Sequence, residues 1–117
     1  MVKQNIKVYI RVRPPLPREI KDGIFENCVL ASEKKIYVSL TVQPLVIDKE
    51  SDSIPGVAIY SYDKVFDYSS TQEDIYSEAV DKSVKSVVQE GLNATLFAYG
   101  QTGSGKTYTM YGGETND

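Results

Sequence analysis

Residues 100–107 carry the clearest chemistry in this sequence, because they match the phosphate-binding pattern G-x-x-x-x-G-K-[ST] at every specified position. Glycines let such a loop turn its backbone N–H groups towards phosphate oxygens. The pattern predicts that Lys106 reaches the β- and γ-phosphates of a nucleotide and that the Thr107 hydroxyl ligates Mg²⁺. The predicted phosphate-binding residues are Gly100, Gln101, Thr102, Gly103, Ser104, Gly105, Lys106 and Thr107.

The elements around this loop fit a P-loop rather than a glycine-rich turn that contains a lysine by chance. Residues 94–99 form an apolar, β-type run that leads directly into the loop. A helix that begins near Gly105 would add the positive end of its dipole to the phosphate site. The order strand, loop and helix therefore favours phosphate binding.

The segment before the loop predicts a βαβ arrangement. Residues 57–66 have strand character, and the spacing of apolar side chains from residue 72 to residue 90 is helical. Ser70 and Glu73 form a capping-box signature at the start of this helix, and Gly91 suits its end. Strand, helix and the strand at 94–99 together indicate an α/β fold with a parallel element.

The first half of the chain predicts short strands. In residues 6–13 the even positions are apolar and positions 7, 11 and 13 are basic, which is strand periodicity, and the prolines from Pro14 onward end the strand. A hairpin turn is predicted at 32–35, between strands at 28–30 and 36–40. Residues 18–26 and 49–56 are predicted loops, and 45–47 is a further candidate strand.

Composition excludes several classes of function. Hydrophobic residues make up 41% and charged residues 25% of the chain, which is typical of a water-soluble globular protein. A net charge of −3 disfavours nucleic acid and anionic membranes as partners. The absence of histidine excludes histidine-based acid–base catalysis. Cys28 is the single cysteine, which fits a reducing compartment, and we interpret it as a small buried apolar residue.

Four sequence matches, in one order, make the chain resemble the N-terminal part of a kinesin motor domain. Residues 11–14 (R-V-R-P) look like the R-x-R-P adenine motif, and residues 62–66 (Y-D-K-V-F) look like the F-D-x-V-F strand. A helix that contains Gln72 and Tyr76 follows. Residues 96–110 then resemble the kinesin P-loop block, whose long form A-Y-G-Q-T-x-S-G-K-T-x-T-M is close to diagnostic.

The resemblance implies a fold and a set of roles. The fold would be α/β, a P-loop NTPase of the kinesin-motor type, with this chain as an N-terminal fragment of the mixed central sheet and its flanking helices. Arg11, Arg13 and Pro14 would form one side of an adenine site, and Tyr108 would stack on the other. Without the resemblance, Arg11 and Arg13 would be interpreted as a solvated strand face, and Tyr108 as a surface aromatic residue. The implied ligands are ATP or ADP with Mg²⁺.

The resemblance also implies what residues 1–117 lack. The switch I and switch II signatures of the family are absent from this sequence, and its main microtubule-binding elements and neck linker would follow residue 117. The expected whole is a cytoplasmic, cytoskeletal motor that couples ATP hydrolysis to movement along microtubules. The fragment alone is expected to be inactive. A non-catalytic nucleotide-binding or interaction module remains an alternative, as does, more distantly, a generic P-loop kinase or GTPase. The oligomeric state is left open.

Overall fold

A computed structural model describes residues 6–17, 28–40, 45, 53–101 and 103–112. The chain forms two compact units, Met1–Ser69 and Ser70–Asp117. The predicted loop at 18–26, most of the predicted strand at 45–47 and the predicted phosphate ligand Thr102 lie outside the described residues.

The first unit contains a two-stranded parallel sheet made from β1, Tyr9–Arg11, and β5, Lys64–Phe66. Tyr9 aligns with Lys64 and Arg11 with Phe66. The pairing continues one residue further, because the Val12 N–H donates to the Phe66 carbonyl at 2.8 Å. β1 is shorter than the predicted alternation at 6–13. It ends at Arg11, three residues before Pro14, which cannot donate a main-chain hydrogen bond. This pair is parallel, but it joins β1 to β5 and is not the pairing with a strand at 94–99 that the predicted βαβ order implies.

The described part of this unit also contains a three-stranded antiparallel sheet. Its strands are β2, Val29–Ala31, β3, Lys35–Ser39, and β4, Val57–Ser61, with β3 in the centre. The predicted hairpin turn is confirmed: Ser32 N–H donates to the Lys35 carbonyl at 2.8 Å, and Lys35 N–H donates to the Ser32 hydroxyl at 3.2 Å. Cys28, interpreted as buried, is only half-buried next to this hairpin.

The prediction of one strand over 57–66 is wrong, because the chain changes sheets at Tyr62 and Asp63. The main-chain N–H of Tyr62 donates to the Lys34 carbonyl, and that of Asp63 donates to the Val8 carbonyl. The Asp63 carboxylate also accepts the Val8 N–H at 2.7 Å. This reciprocal contact with the segment before β1 ends β4 and begins β5, and the alternation of side chains alone does not reveal such a change of partner.

The second unit begins with the helix that the apolar spacing predicts. It consists of α1, Gln72–Ile75, a π-helical turn, Tyr76–Val80, and α2, Asp81–Glu90. The bounds of the helical run agree with the predicted 72–90. The chain leaves α2 at Gly91, which adopts a left-handed conformation with φ of 68°, as expected of a helix-terminating glycine. No helix within the described ranges is long and apolar enough to cross a bilayer.

The cap of this helix lies one residue later than the sequence predicts. Thr71, not Ser70, is the N-cap: its hydroxyl accepts the Asp74 N–H at 3.1 Å. The Asp74 carboxylate accepts the Thr71 N–H at 2.9 Å, which completes a capping box. Both registers place a hydroxyl three residues before an acidic residue, so the sequence alone does not distinguish them.

The predicted strand at 94–99 is also wrong for this structure, since residues 91–100 have no regular secondary structure. A strand needs a neighbour to accept and donate its main-chain hydrogen bonds. The sheets among the described residues contain five strands, β1 to β5, and none of them pairs with this segment. Phe97 and Tyr99 are accordingly 81% and 97% exposed.

Candidate phosphate-binding site

The loop that leads to the candidate site turns through its own main chain. The Ser104 N–H donates to the Gln101 carbonyl at 3.0 Å. Gly103 and Gly105 have φ values of 83° and 103°, in the region that side chains with a Cβ disfavour. Both positions therefore favour glycine for backbone reasons, and the motif specifies glycine at only one of them, Gly105.

Gly100 lies close to the side chain of Ser104. A Cβ at this position would lie 2.5 Å from the Ser104 hydroxyl oxygen, so that hydroxyl would have to move. The Lys106 ammonium donates to the Gly100 carbonyl at 2.5 Å, and this lysine is partly buried. The loop thus closes on itself, with its first and seventh residues in contact and its cation held at the centre.

A short helix, α3, Lys106–Tyr111, continues from the loop. The Thr109 N–H donates to the Gly105 carbonyl at 2.9 Å, and the Gly112 N–H donates to the Tyr108 carbonyl at 2.7 Å. The predicted start of a helix near Gly105 is therefore confirmed. Thr107 is exposed in the first turn, and Tyr108 is 49% exposed beside it.

A side chain from α1 contacts the far end of this helix. The Gln72 amide nitrogen lies 3.0 Å from the Tyr108 carbonyl and 3.4 Å from the Thr109 carbonyl. Gln72 is half-buried and lies in the same compact unit as the loop. The start of the helical run at 72–90 is thereby connected to the helix that follows the phosphate loop.

The residues expected on the adenine side lie in the first unit. Arg11 is the last residue of β1, and Arg13 and Pro14 follow it. The Arg13 guanidinium donates to the Pro14 carbonyl at 3.0 Å. Both arginines are half-buried, whereas Pro14 is exposed.

Comparison with known proteins decides the family. A family model described as the kinesin motor domain matches residues 11–117. The chain belongs to the kinesin motor domain family. It is 41% identical over 111 residues to Protein claret segregational of Drosophila melanogaster. It is 40% identical over 108 residues to Kinesin-like protein KIF27 of Rattus norvegicus, and 37% identical over 111 residues to Kinesin-like protein KIN-5A of Oryza sativa subsp. japonica.

These matches cover 95%, 92% and 95% of this chain, respectively, but only 15%, 7% and 10% of the three relatives. The chain therefore spans a small part of the length of the curated relatives that it matches. Membership of the kinesin motor domain family implies the P-loop NTPase fold. The parallel and antiparallel sheets and the helices are consistent with a fragment of that fold.

For this kinesin-family chain, the sequence predicted the loop but not the contact that Gln72 makes with the helix that follows it. The structure places the predicted residues from Gly100 to Thr107 in one loop and the first turn of α3, and Thr102 lies outside the described residues. The sequence identified Gln72 only as part of the resemblance and assigned it no contact. No local pattern reveals that contact, because 36 residues separate Gln72 from Tyr108.

Proposed function

We propose that this chain is the ATP-binding part of a microtubule motor that couples ATP hydrolysis to movement along microtubules. Residues 1–117 would be the N-terminal portion of one motor domain. Family membership supports the proposal, as does the closed loop around Lys106. The loop is the observation that carries it, since main-chain N–H groups and a lysine in such a loop suit phosphate.

The Lys106 ammonium makes a contact that supports the proposal. It donates to the Gly100 carbonyl, an acceptor that a phosphate oxygen of ATP would replace with a charge-assisted hydrogen bond. Gly103 and Gly105, in their left-handed conformations, let the loop backbone curve around the phosphates. Gly100 permits the close approach of the Ser104 side chain.

The residues present also fit Mg²⁺. Thr107 places an exposed hydroxyl one residue after the phosphate-binding lysine, and a hydroxyl oxygen is a hard ligand of the kind that Mg²⁺ takes. Among the described residues, no group of three or more Asp, Glu, Cys or His side chains is arranged to hold a metal by itself. Such a site suits an ion that arrives with the nucleotide. When bound, Mg²⁺ would neutralise charge that develops on the phosphates.

The adenine side would be formed by Arg11, Arg13 and Pro14 together with Tyr108. The support is their match to the family motifs and the exposed aromatic ring of Tyr108. A ring stacked on a purine needs no hydrogen bond to the base edge. The face of the Tyr108 ring alone could therefore contact adenine. The proposed partner is the microtubule and the proposed location is the cytoplasmic cytoskeleton.

The test is ATP hydrolysis by the full-length gene product with and without microtubules. We expect stimulation by microtubules, near-complete loss of turnover in Lys106→Ala, and a higher Mg²⁺ requirement in Thr107→Ala. Lys82→Ala is the control, because Lys82 is an exposed lysine on α2 outside the loop. Nucleotide binding without turnover in the wild-type protein would support the non-catalytic module instead. Turnover by Lys106→Ala at the wild-type rate would refute the assignment of the loop.

A further inference from the structure

We propose that Gln72 is a positioning residue for the nucleotide site, because it holds the C-terminal turn of the helix that carries Tyr108. This inference rests on the proposed function, in which residues 100–107 bind phosphate and Tyr108 stacks on the base. It adds a residue on a different helix to that site.

The contact adds a side-chain donor at the C-terminal end of α3, where the last carbonyls of a helix depend on partners outside it. The Gln72 amide nitrogen lies 3.0 Å from the Tyr108 carbonyl and 3.4 Å from the Thr109 carbonyl. The Tyr108 carbonyl also accepts the Gly112 N–H at 2.7 Å. A Cβ on Gly112 would lie 3.7 Å from the Gln72 nitrogen, so the amide packs closely over this end of the helix.

The helix needs such a support because it is short. With six residues, α3 is far below the length at which an isolated helix is stable in water. Its N-terminal end is held by the loop, through Lys106 and Gly100. Gln72 acts at the opposite end, on the main chain of the residue proposed to stack on adenine. The phosphate side and the base side of the site therefore have separate supports.

Separate supports predict a selective defect. Removing the Gln72 donor should release the Tyr108 turn and weaken contact with the base, while the phosphate loop keeps its own hydrogen bonds. We expect Gln72→Met, a neutral side chain of similar length that cannot donate, to weaken Mg·ADP binding by about threefold to tenfold, the net value of one hydrogen bond. Binding of tripolyphosphate, which has no base, should stay within about twofold of wild type if the two supports are independent.

The experiment is calorimetric titration of the nucleotide-free, full-length protein with Mg·ADP and with tripolyphosphate. Gln89→Met is the matched control, since Gln89 is an exposed glutamine on α2 and the substitution is the same. The inference is overturned if Gln72→Met binds ADP as Gln89→Met does, or if it loses ADP and tripolyphosphate equally. Lys106→Ala separates this failure from failure of the proposed function: if it binds both ligands as wild type does, the phosphate site itself is wrong.

A second measurement keeps the inference testable if Gln72→Met does not fold. In the wild-type protein, a side-chain amide that donates to two carbonyls should exchange its protons with solvent more slowly than an exposed one. Magnetic resonance of the two glutamine side chains should show slower exchange for Gln72 than for Gln89. Equal exchange rates would contradict the contact on which the proposal depends.

Discussion

The main chain and the ring of Tyr108 respond differently to mutation. Its carbonyl accepts hydrogen bonds from Gln72 and Gly112, and its ring is half-exposed. An alanine at this position would keep the main-chain contacts and remove only the ring. The substitution therefore isolates the proposed stacking on adenine from the folding of the short helix.

We predict that Tyr108→Ala weakens binding of ATP, ADP and GTP to a similar degree, because stacking on a purine is worth about 1–3 kcal/mol whatever its edge groups. The rate at saturating ATP should stay near wild type, as expected when uniform binding is lost. Nucleotide titration together with steady-state kinetics provides the measurement. Tyr111→Ala is the control, since Tyr111 ends the same helix and is 86% exposed. A lower rate at saturation with unchanged affinity would remove Tyr108 from the adenine site.

The phosphate loop was predictable at the residue scale because its requirements are local. The left-handed backbone at Gly103 and Gly105 and the crowding between Gly100 and Ser104 all arise within a few residues. The pattern of glycines records those requirements directly. Gln72 was not predictable in this way, since its contact depends on where the chain returns after the helical run at 72–90 and the irregular segment at 91–100.

At the scale of elements, the capping box shows how a sequence signal can be right in kind and displaced in register. Two hydroxyl residues precede two acidic residues, so Ser70 with Glu73 and Thr71 with Asp74 satisfy the same pattern. The structure selects Thr71, whose φ and ψ of −92° and 167° are those of an extended N-cap. The difference matters, because only one of the two hydroxyls then stabilises the helix that begins at Gln72.

We predict that Thr71→Ala destabilises the start of this helix by about 1 kcal/mol, the usual value of an N-cap hydroxyl. The exchange of the Asp74 main-chain amide, which donates to the Thr71 hydroxyl, should accelerate by roughly fivefold if it proceeds by local opening. Ser70→Ala should change the exchange little. Hydrogen exchange of the two variants checks the register, and the opposite ranking would restore the cap that the sequence first suggested.

The segment at 94–99 connects the element scale to the whole molecule. Its apolar, β-type residues predict a buried strand, yet Leu96, Phe97 and Tyr99 are at least half-exposed. Part of the apolar face of the 72–90 helical run is also exposed, with Val88 76% exposed, although Ile75 is buried. The local residue pattern indicates which secondary structure a segment can adopt. A strand forms only when a neighbouring strand completes its main-chain hydrogen bonds. The sequence could not show that this neighbour is absent among the described residues.

Apolar side chains that are suited to burial are exposed in this structure. Their exposure predicts the behaviour of a protein made of residues 1–117 alone. The buried apolar side chains in the described part of the chain are Tyr37, Val65, Phe66 and Ile75. Large exposed apolar surface favours association. We therefore expect this protein to self-associate or aggregate, with marginal stability and no microtubule-stimulated ATPase activity. Sedimentation velocity and calorimetry measure this; a monomer with a sharp unfolding transition above about 50 °C would contradict it.

A single substitution shows whether the open segment is the cause. In the 117-residue protein, Phe97→Ser should reduce self-association, because it removes an aromatic side chain that is 81% exposed. In the full-length gene product, the same change should lower stability by about 3 kcal/mol or more, since we expect residues 94–99 to form a buried strand there and a large core side chain would be lost. Opposite signs in the two proteins would confirm that sequence outside residues 1–117 completes the sheet. Equal, small effects in both would mean that the segment remains irregular and exposed, and that its strand-like pattern has another cause.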